Sequence, residues 1–397
     1  MNVGNNVKPV CLLVFKFRSK WNHHLISKLQ YAYDVIDIYA NELFQLDGSR
    51  GLLKSINQLI QDKSVSLVFF DIDFYMLLDN SIIDGVDDSV KKIAVTFDDL
   101  VMHDLNAITA DACDMVLSGD PLSVLRYREK NMAAEYLTLE ASGDLYCKKT
   151  MKKDIEVLHF GGIDKADRRE YIEFLQSKGI DICLIGSGSK YIDAELLPEY
   201  ICRSKLVINF SKTDFFTTSS FDVAGVQDYY LQFKGRVIEA GLCGTACVSE
   251  VSPAMSLLFA EEEVPTFSTK EGCYEIILKL LADDRLRESY ASRLHGKTLE
   301  KYEDSVLMDG IKCAIDNVQK RRRSAIRTAQ LSYRRMALRA RMHCLMLKPV
   351  LALKEMARVM MSEKVFPLYR VLLLADMAAS YLFFVSRFYA RKLRAAN

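Results

Sequence analysis

Several features are scarce in this 397-residue chain, and each scarcity excludes something. Seven prolines and 18 glycines are too few for a collagen-like or low-complexity chain. No period of solenoid length repeats. Ten cysteines are present, yet none forms a Cys-X-X-Cys pair. Cys243 and Cys247 lie four apart with no second pair to complete a metal site. The cysteines therefore read as small buried apolar residues of a reducing compartment, the cytosol. The apolar run at 9–15 ends at Lys16 and lacks a cleavage-site pattern, so no secretion signal is expected. A membrane-spanning helix needs ~20 apolar residues. The best candidate, 371–386, contains Asp376 and lies between Arg370 and Arg387, so it is expected to lie on a membrane rather than cross it.

What is present is the composition of a globular protein: 50% hydrophobic and 26% charged. The length suits two or three domains. The net charge of +1 hides an asymmetry. Residues 318–397 carry 18 Lys or Arg against three acids, Glu355, Glu363 and Asp376, which leaves the rest of the chain acidic. An acidic body with a basic tail points to an anionic surface as partner of the tail.

Residues 1–150 alternate short apolar runs with amphipathic stretches. Strands are expected at 10–17, 35–39, 65–70, 92–96, 115–118 and 134–139, with helices at 51–61 and from Pro121 onward. Residues 151–317 repeat the style. Strands are expected at 156–160, 182–185, 206–210 and 245–249, and helices at 165–178, 235–242 and within 271–302. The polar, lysine-rich stretch 142–153 reads as a linker. Such alternation argues two α/β domains, each a doubly wound parallel sheet. In 318–397 strands vanish, seven of the 15 methionines gather, and the pattern is helical with breaks at Pro349 and Pro367.

The most informative stretch is 232–250, QFKGRVIEAGLCGTACVSE. It predicts a helix with Lys234 and Arg236 at its start, a glycine stop and a buried strand. Unpaired N–H groups and two cations at a helix start suit a diphosphate. Glu239, one turn in, could accept hydrogen bonds from ribose hydroxyls. The alternative is a surface helix with an Arg236–Glu239 pair.

In the first half, His23 and His24 follow the first strand, where a histidine could act as general base or merely sit in a helix cap. Asp98 and Asp99 follow another strand end, as a base, an acceptor-binding group or a helix cap. Asp71-Ile72-Asp73 imitates a metal-binding DxD but reads better as a strand-end turn. His159 reads as a hydrogen-bonded core residue.

The 232–250 run, the segment LLFAEEEV at 257–264 and the helix ending LADDRLRESYASRLHGKTLEKYE resemble the carboxy-terminal domain of GT-B glycosyltransferases, and within them the CgeB-like group of spore-maturation and surface-glycan transferases. The glycines at 160–162 (FGG) and 185–189 (IGSGS) fit in order and spacing, and TFDDL at 96–100 adds a local echo. The resemblance covers about 155–305.

It implies two Rossmann-like domains. Residues 1–150 would face the acceptor, 151–317 would bind the nucleotide sugar, and 318–397 would add a basic, Met-rich helical extension. It implies transfer of a sugar from a nucleotide-sugar donor to a glycan, glycolipid or protein acceptor in cell-surface polymer synthesis. Glu239 would hold the ribose, Lys234 and Arg236 the diphosphate, and Gly162 and Gly188 would admit backbone to the nucleotide. No metal or other cofactor is required, since fixed cations can assist departure of the diphosphate. One position departs from the family: where many relatives have a second glutamate, eight residues before Glu239, this chain has Leu231. A non-catalytic protein that binds nucleotide sugar or scaffolds a polymer assembly is the alternative. For the tail, cations interleaved with Leu, Met, Phe and Tyr favour an anionic membrane face or packing on protein over nucleic acid.

Overall fold

The computed structural model describes residues 8–19, 22–72, 78, 80–97, 99–138, 145–164, 167–186, 188–214, 229–321 and 375. Asp98, Asp73 and nearly all of the tail lie outside the described residues.

The first half folds as β1 (Val10–Phe15), α1 (Asn22–Gln30), β2 (Asp34–Tyr39), α2 (Ala40–Asp62), β3 (Leu67–Asp71), α3 (Asn80–Gly85), β4 (Lys91–Thr96), α4 (Asp99–Ala110), β5 (Met115–Ser118), α5 (Pro121–Glu129) and β6 (Ala133–Tyr136). Its six strands form one parallel sheet in the order β2-β1-β3-β4-β5-β6. The apolar runs are continuous because both faces are covered. Leu12, Val14, Val68, Phe70, Ala94 and Val116 enter one core with Leu52, Ile56 and Ile60 of α2. Their alternates, Leu13, Phe15, Phe69, Ile93 and Leu117, enter the opposite core with Leu25 and Leu29 of α1. Each fully buried Val, Leu, Ile or Phe side chain among them contributes about 1.5–3 kcal/mol. The helix expected at 51–61 is the second half of α2, which begins at Ala40.

The second half contains β7 (Ile155–Phe160), α6 (Arg168–Ser177), β8 (Ile182–Ile185), α7 (Leu197–Arg203), β9 (Ser204–Asn209), β10 (Lys212–Asp214), β11 (Tyr229–Leu231), α8 (Arg236–Leu242), β12 (Ala246–Glu250), α9 (Met255–Leu258), β13 (Thr266–Phe267), α10 (Lys270–Ala282), α11 (Asp284–Tyr302) and α12 (Asp304–Asn317). Five strands form a parallel sheet in the order β13-β12-β9-β7-β8, and β10 and β11 pair as a small antiparallel ribbon. Chain order runs outward from β7 to β8, then returns to β9 on the other side of β7. The direction of winding therefore reverses between β7 and β9, which opens a crevice at their carboxyl ends.

The chain does not stay with the second sheet to 317. The apolar face of α12, Met308, Ile311 and Ile315, joins the core under the first sheet. Lys28 of α1 and Asp304 at the start of α12 form an ion pair with both side chains fully buried. Lys91 Nζ then donates to the carbonyls of Ile315 (2.6 Å) and Asp316 (2.8 Å). The Arg321 amide donates to Asp114 Oδ1 at 2.8 Å. Leu122 and Tyr136 of the first unit pack against the core that contains Phe233, Phe259 and Tyr302. The Tyr136 and Tyr302 rings meet edge to face at 6.1 Å. These contacts make the seam between the two lobes.

Candidate functional site

The crevice of the second sheet is built from three strand ends and the start of α8. β7 ends in Gly161-Gly162. Gly161 has φ +117°, a backbone state that L side chains rarely adopt, and a Cβ there would land on the Arg236 guanidinium. The Gly161 amide donates to the Ile185 carbonyl at 2.8 Å. At Gly186, with φ +121°, a Cβ would lie 2.7 Å from the Gly161 carbonyl oxygen. Two strand ends thus cross at a distance only glycine allows. Gly188 (φ +80°) stands against Asp164 and Ile163.

Arg236 bridges the strands that flank the reversal. Its guanidinium lies against Gly161 at the end of β7, and its Nη1 donates to Asn209 Oδ1 at the end of β9, 3.2 Å away. The Asn209 amide is in turn held by Ser249 Oγ of β12 at 2.9 Å. The guanidinium also sits 5.9 Å from the Phe160 ring centroid. Lys234 Nζ donates to Gln232 Oε1. Glu239, one turn further, is buried on α8. Arg236 thus stands beside Gly161-Gly162, Lys234 lies just before α8 and Glu239 one turn into it, and Gly188 follows the end of the neighbouring β8. The helix start itself is modest: α8 has seven residues, and Gly235 caps it without a side chain. The anion-attracting charge comes from the two side chains.

Near the guanidinium, His159 is fully buried and its Nδ1–H donates to the Ile208 carbonyl, 3.2 Å away. Burial first, then the nearby Arg236 charge, press its pKa down to about 3. It is a neutral core histidine, as its sequence position suggests.

Arg168 and Lys212 carry further charge here, and neither stood out in the sequence. Arg168 is buried, and its guanidinium donates to the carbonyls of Gly162 (2.8 Å) and Lys212 (2.7 Å). Lys212 pairs with Asp167 (2.6 Å) and with buried Glu250 (3.1 Å). Burial alone would lower the Lys212 pKa, but these two carboxylates raise it above the ordinary lysine value. Single charged residues at the first position of a helix and of a short strand gave no periodic signal that could have marked them.

The first-lobe candidates are more dispersed. His23 and His24 occupy the first turn of α1, their rings 4.0 Å apart. His23 is exposed and His24 buried. Burial, with His23 and Lys28 nearby, lowers the His24 pKa to about 4. Asp99 corrects the expectation of a base. It is wholly buried, and its carboxylate accepts from Thr96 Oγ1 (2.7 Å), Ser118 Oγ (2.6 Å), Asn106 Nδ2 (3.0 Å) and Tyr127 OH (2.9 Å). Four donors occupy both oxygens, so Asp99 ties β4, β5, α4 and α5 together. Its pKa is nonetheless raised, because burial outweighs those bonds. Asp71 ends β3 and pairs with Lys16, just past the end of β1, at 3.4 Å, which suits a strand-end role. Among the described residues, no cluster of three or more His, Cys, Asp or Glu is arranged to hold a metal ion. None of the described helices is long and apolar enough to cross a membrane.

Two Rossmann-like sheets with a crevice in the second define the GT-B fold of glycosyltransferases, and solved structures agree. Sucrose-phosphate synthase from Thermosynechococcus elongatus aligns with a TM-score of 0.53 at 11% identity, over 78% of this chain and 99% of that one. Anabaena Alr3699/HepE in complex with UDP and glucose aligns at 0.51 and 11% identity, over 78% and 100%. A glycosyltransferase from Rickettsia africae aligns at 0.55 and 9% identity, over 78% and 98%. At such identities the likeness establishes the fold. A family model described as "Glycosyl transferase-like" matches residues 168–305, from the first residue of α6 into α12. The comparison with curated proteins returns no match.

Proposed function

We propose that the protein is a metal-independent glycosyltransferase that takes its sugar from a nucleoside-diphosphate sugar held on the second lobe. The observation that carries this reading is the position of Arg236. It lies at the reversal point of the second sheet, in contact with a glycine backbone and fastened to Asn209. In open α/β sheets, ligands bind in that crevice. A diphosphate there meets a fixed, planar cation and backbone that approaches closely at Gly161 and Gly162. Lys234 adds a second cation, and Glu239 is the carboxylate for ribose hydroxyls. Cations already locked in place stabilise the charge that grows on the departing nucleoside diphosphate without reorganising.

His23, Asp98 and the carboxyl edge of the first sheet would face the acceptor. Similarity to the CgeB-like group, together with the basic extension 318–397, favours a glycan, glycolipid or protein acceptor in surface-polymer synthesis. The extension would rest on the anionic cytoplasmic face of a membrane. Liposome flotation with and without 318–397 tests that part, and undiminished lipid binding after truncation overturns it.

The donor reading is tested by calorimetric titration of the full chain with UDP, UDP-glucose, UDP-N-acetylglucosamine and GDP-mannose, alongside UDP or GDP release. One donor should bind and turn over, and Glu239→Ala should weaken binding at least tenfold. Binding without turnover would favour a non-catalytic sugar-nucleotide binder. No binding by any of the four would overturn the donor site.

A further inference from the structure

One buried carboxylate of the first lobe has incomplete bonding. Asp120 follows the carboxyl end of β5 and caps α5, with its Oδ2 accepting the Ser123 amide at 2.7 Å. Its other oxygen, Oδ1, is shielded from solvent and has no hydrogen bond within normal geometry, although the likewise unpartnered Ser123 hydroxyl lies close enough to act on the carboxylate. The residue as a whole is 1% exposed. A shielded carboxylate oxygen without a donor is costly, and such groups call for an explanation in what completes them.

The surroundings are rigid. Ser118 Oγ donates to Asp99 (2.6 Å) while accepting the Asp120 amide (3.2 Å). At Gly119, between them, a Cβ would lie 3.1 Å from the Phe97 carbonyl oxygen, so the loop is pressed onto the end of β4. Two residues on, Leu122 packs against the core of the second lobe. That same core contains Phe233, the neighbour of Lys234. Asp120 therefore lies two residues from the seam, at the carboxyl edge of the first sheet. Burial and then the Asp99 charge raise its pKa, against the pull of the Ser123 bonds.

We propose that Asp120 Oδ1 accepts a hydrogen bond from a hydroxyl of the donor sugar when the lobes part to admit it, and so helps to select that sugar. This rests on the donor site of the second lobe. A diphosphate anchored at Arg236 leaves its sugar facing the first lobe, and sugar hydroxyls are the donors that an acceptor-only carboxylate lacks. The charge on Asp120 strengthens such a bond over a neutral one.

Asp120→Ser separates this role from capping. Serine caps a helix about as well as aspartate, yet it removes Oδ1 and the charge. Wild type and variant are titrated with UDP and with the UDP-sugar that binds most tightly, and melting temperatures are compared. The expected result is an unchanged Kd for UDP, a melting temperature within a few degrees, and a roughly 10-fold loss of the affinity ratio between UDP-sugar and UDP. An equal ratio in both proteins overturns the proposal. Absence of UDP binding by the wild type overturns the donor site instead. Should Asp120→Ser fail to fold, Asp120→Asn retains the cap, replaces the charged acceptor by a neutral amide donor, and should lower the same affinity ratio.

Discussion

The Lys28 ammonium and the Asp304 carboxylate are joined 276 positions apart in the chain, with neither side chain exposed to water. The bond fastens the last helix of the second half to the first helix of the first.

Removing one partner leaves the other charged and buried, which costs about 3–5 kcal/mol. Asp304→Ala should therefore lower the melting temperature markedly and reduce the denaturation midpoint. A double replacement, Lys28→Met with Asp304→Leu, should recover most of that loss. A melting temperature unchanged in Asp304→Ala would show that the pair does not hold α12 in place.

At Gly161 the backbone is left-handed and the guanidinium occupies the place of a side chain. Gly161→Ala should cost about 1–3 kcal/mol from backbone strain alone. It should also push Arg236 out of line. Calorimetry should find nucleotide binding weakened at least tenfold in whatever fraction remains folded.

Arg236→Lys keeps the charge but loses the planar fork that reaches Gly161 and Asn209 together. Nucleotide affinity should fall by about 1–3 kcal/mol, the range for a hydrogen bond to a charged group. The melting temperature should change little. Full affinity in the lysine variant would show that simple charge is enough at this position.

The two depressed histidines set a pH dependence. His24 and His159 have folded pKa values of about 4 and about 3, against an ordinary 6.5. Below 6.5 the unfolded chain takes up their protons while the folded chain does not. Stability should therefore fall as pH drops from about 6.5 through 4, by up to about 1.4 kcal/mol per pH unit for each histidine. Asp99 and Asp120, with raised values, act in the opposite sense. Comparing wild type with His159→Asn cancels their effect. The variant should show a shallower loss between pH 6.5 and 4, and parallel curves would remove His159 from the account.

Much of the fold was legible because buried parallel strands must be apolar throughout. Runs such as 92–96 and 115–118 announce themselves with no help from neighbours. The caps and glycines were equally plain, since Pro121 and Gly161 answer to local backbone rules. Tertiary choices were not legible. The apolar face of α12 shows that it must pack, but the sequence does not say on which sheet. Asp98-Asp99 shows the same limit: a paired carboxylate after a strand looks catalytic until Thr96, Ser118, Asn106 and Tyr127 are found around Asp99. Arg168 escaped notice because its partners are backbone carbonyls, which carry no residue identity.

The anchoring of residues 316–321 to the first lobe also determines where the basic extension departs. Lys320 and Arg321 are fastened beside Asp88 and Asp114, at the amino-terminal ends of β4 and β5, away from the crevice. The chain therefore reaches residue 321 on the first lobe, at the edge of its sheet opposite the carboxyl ends of the strands.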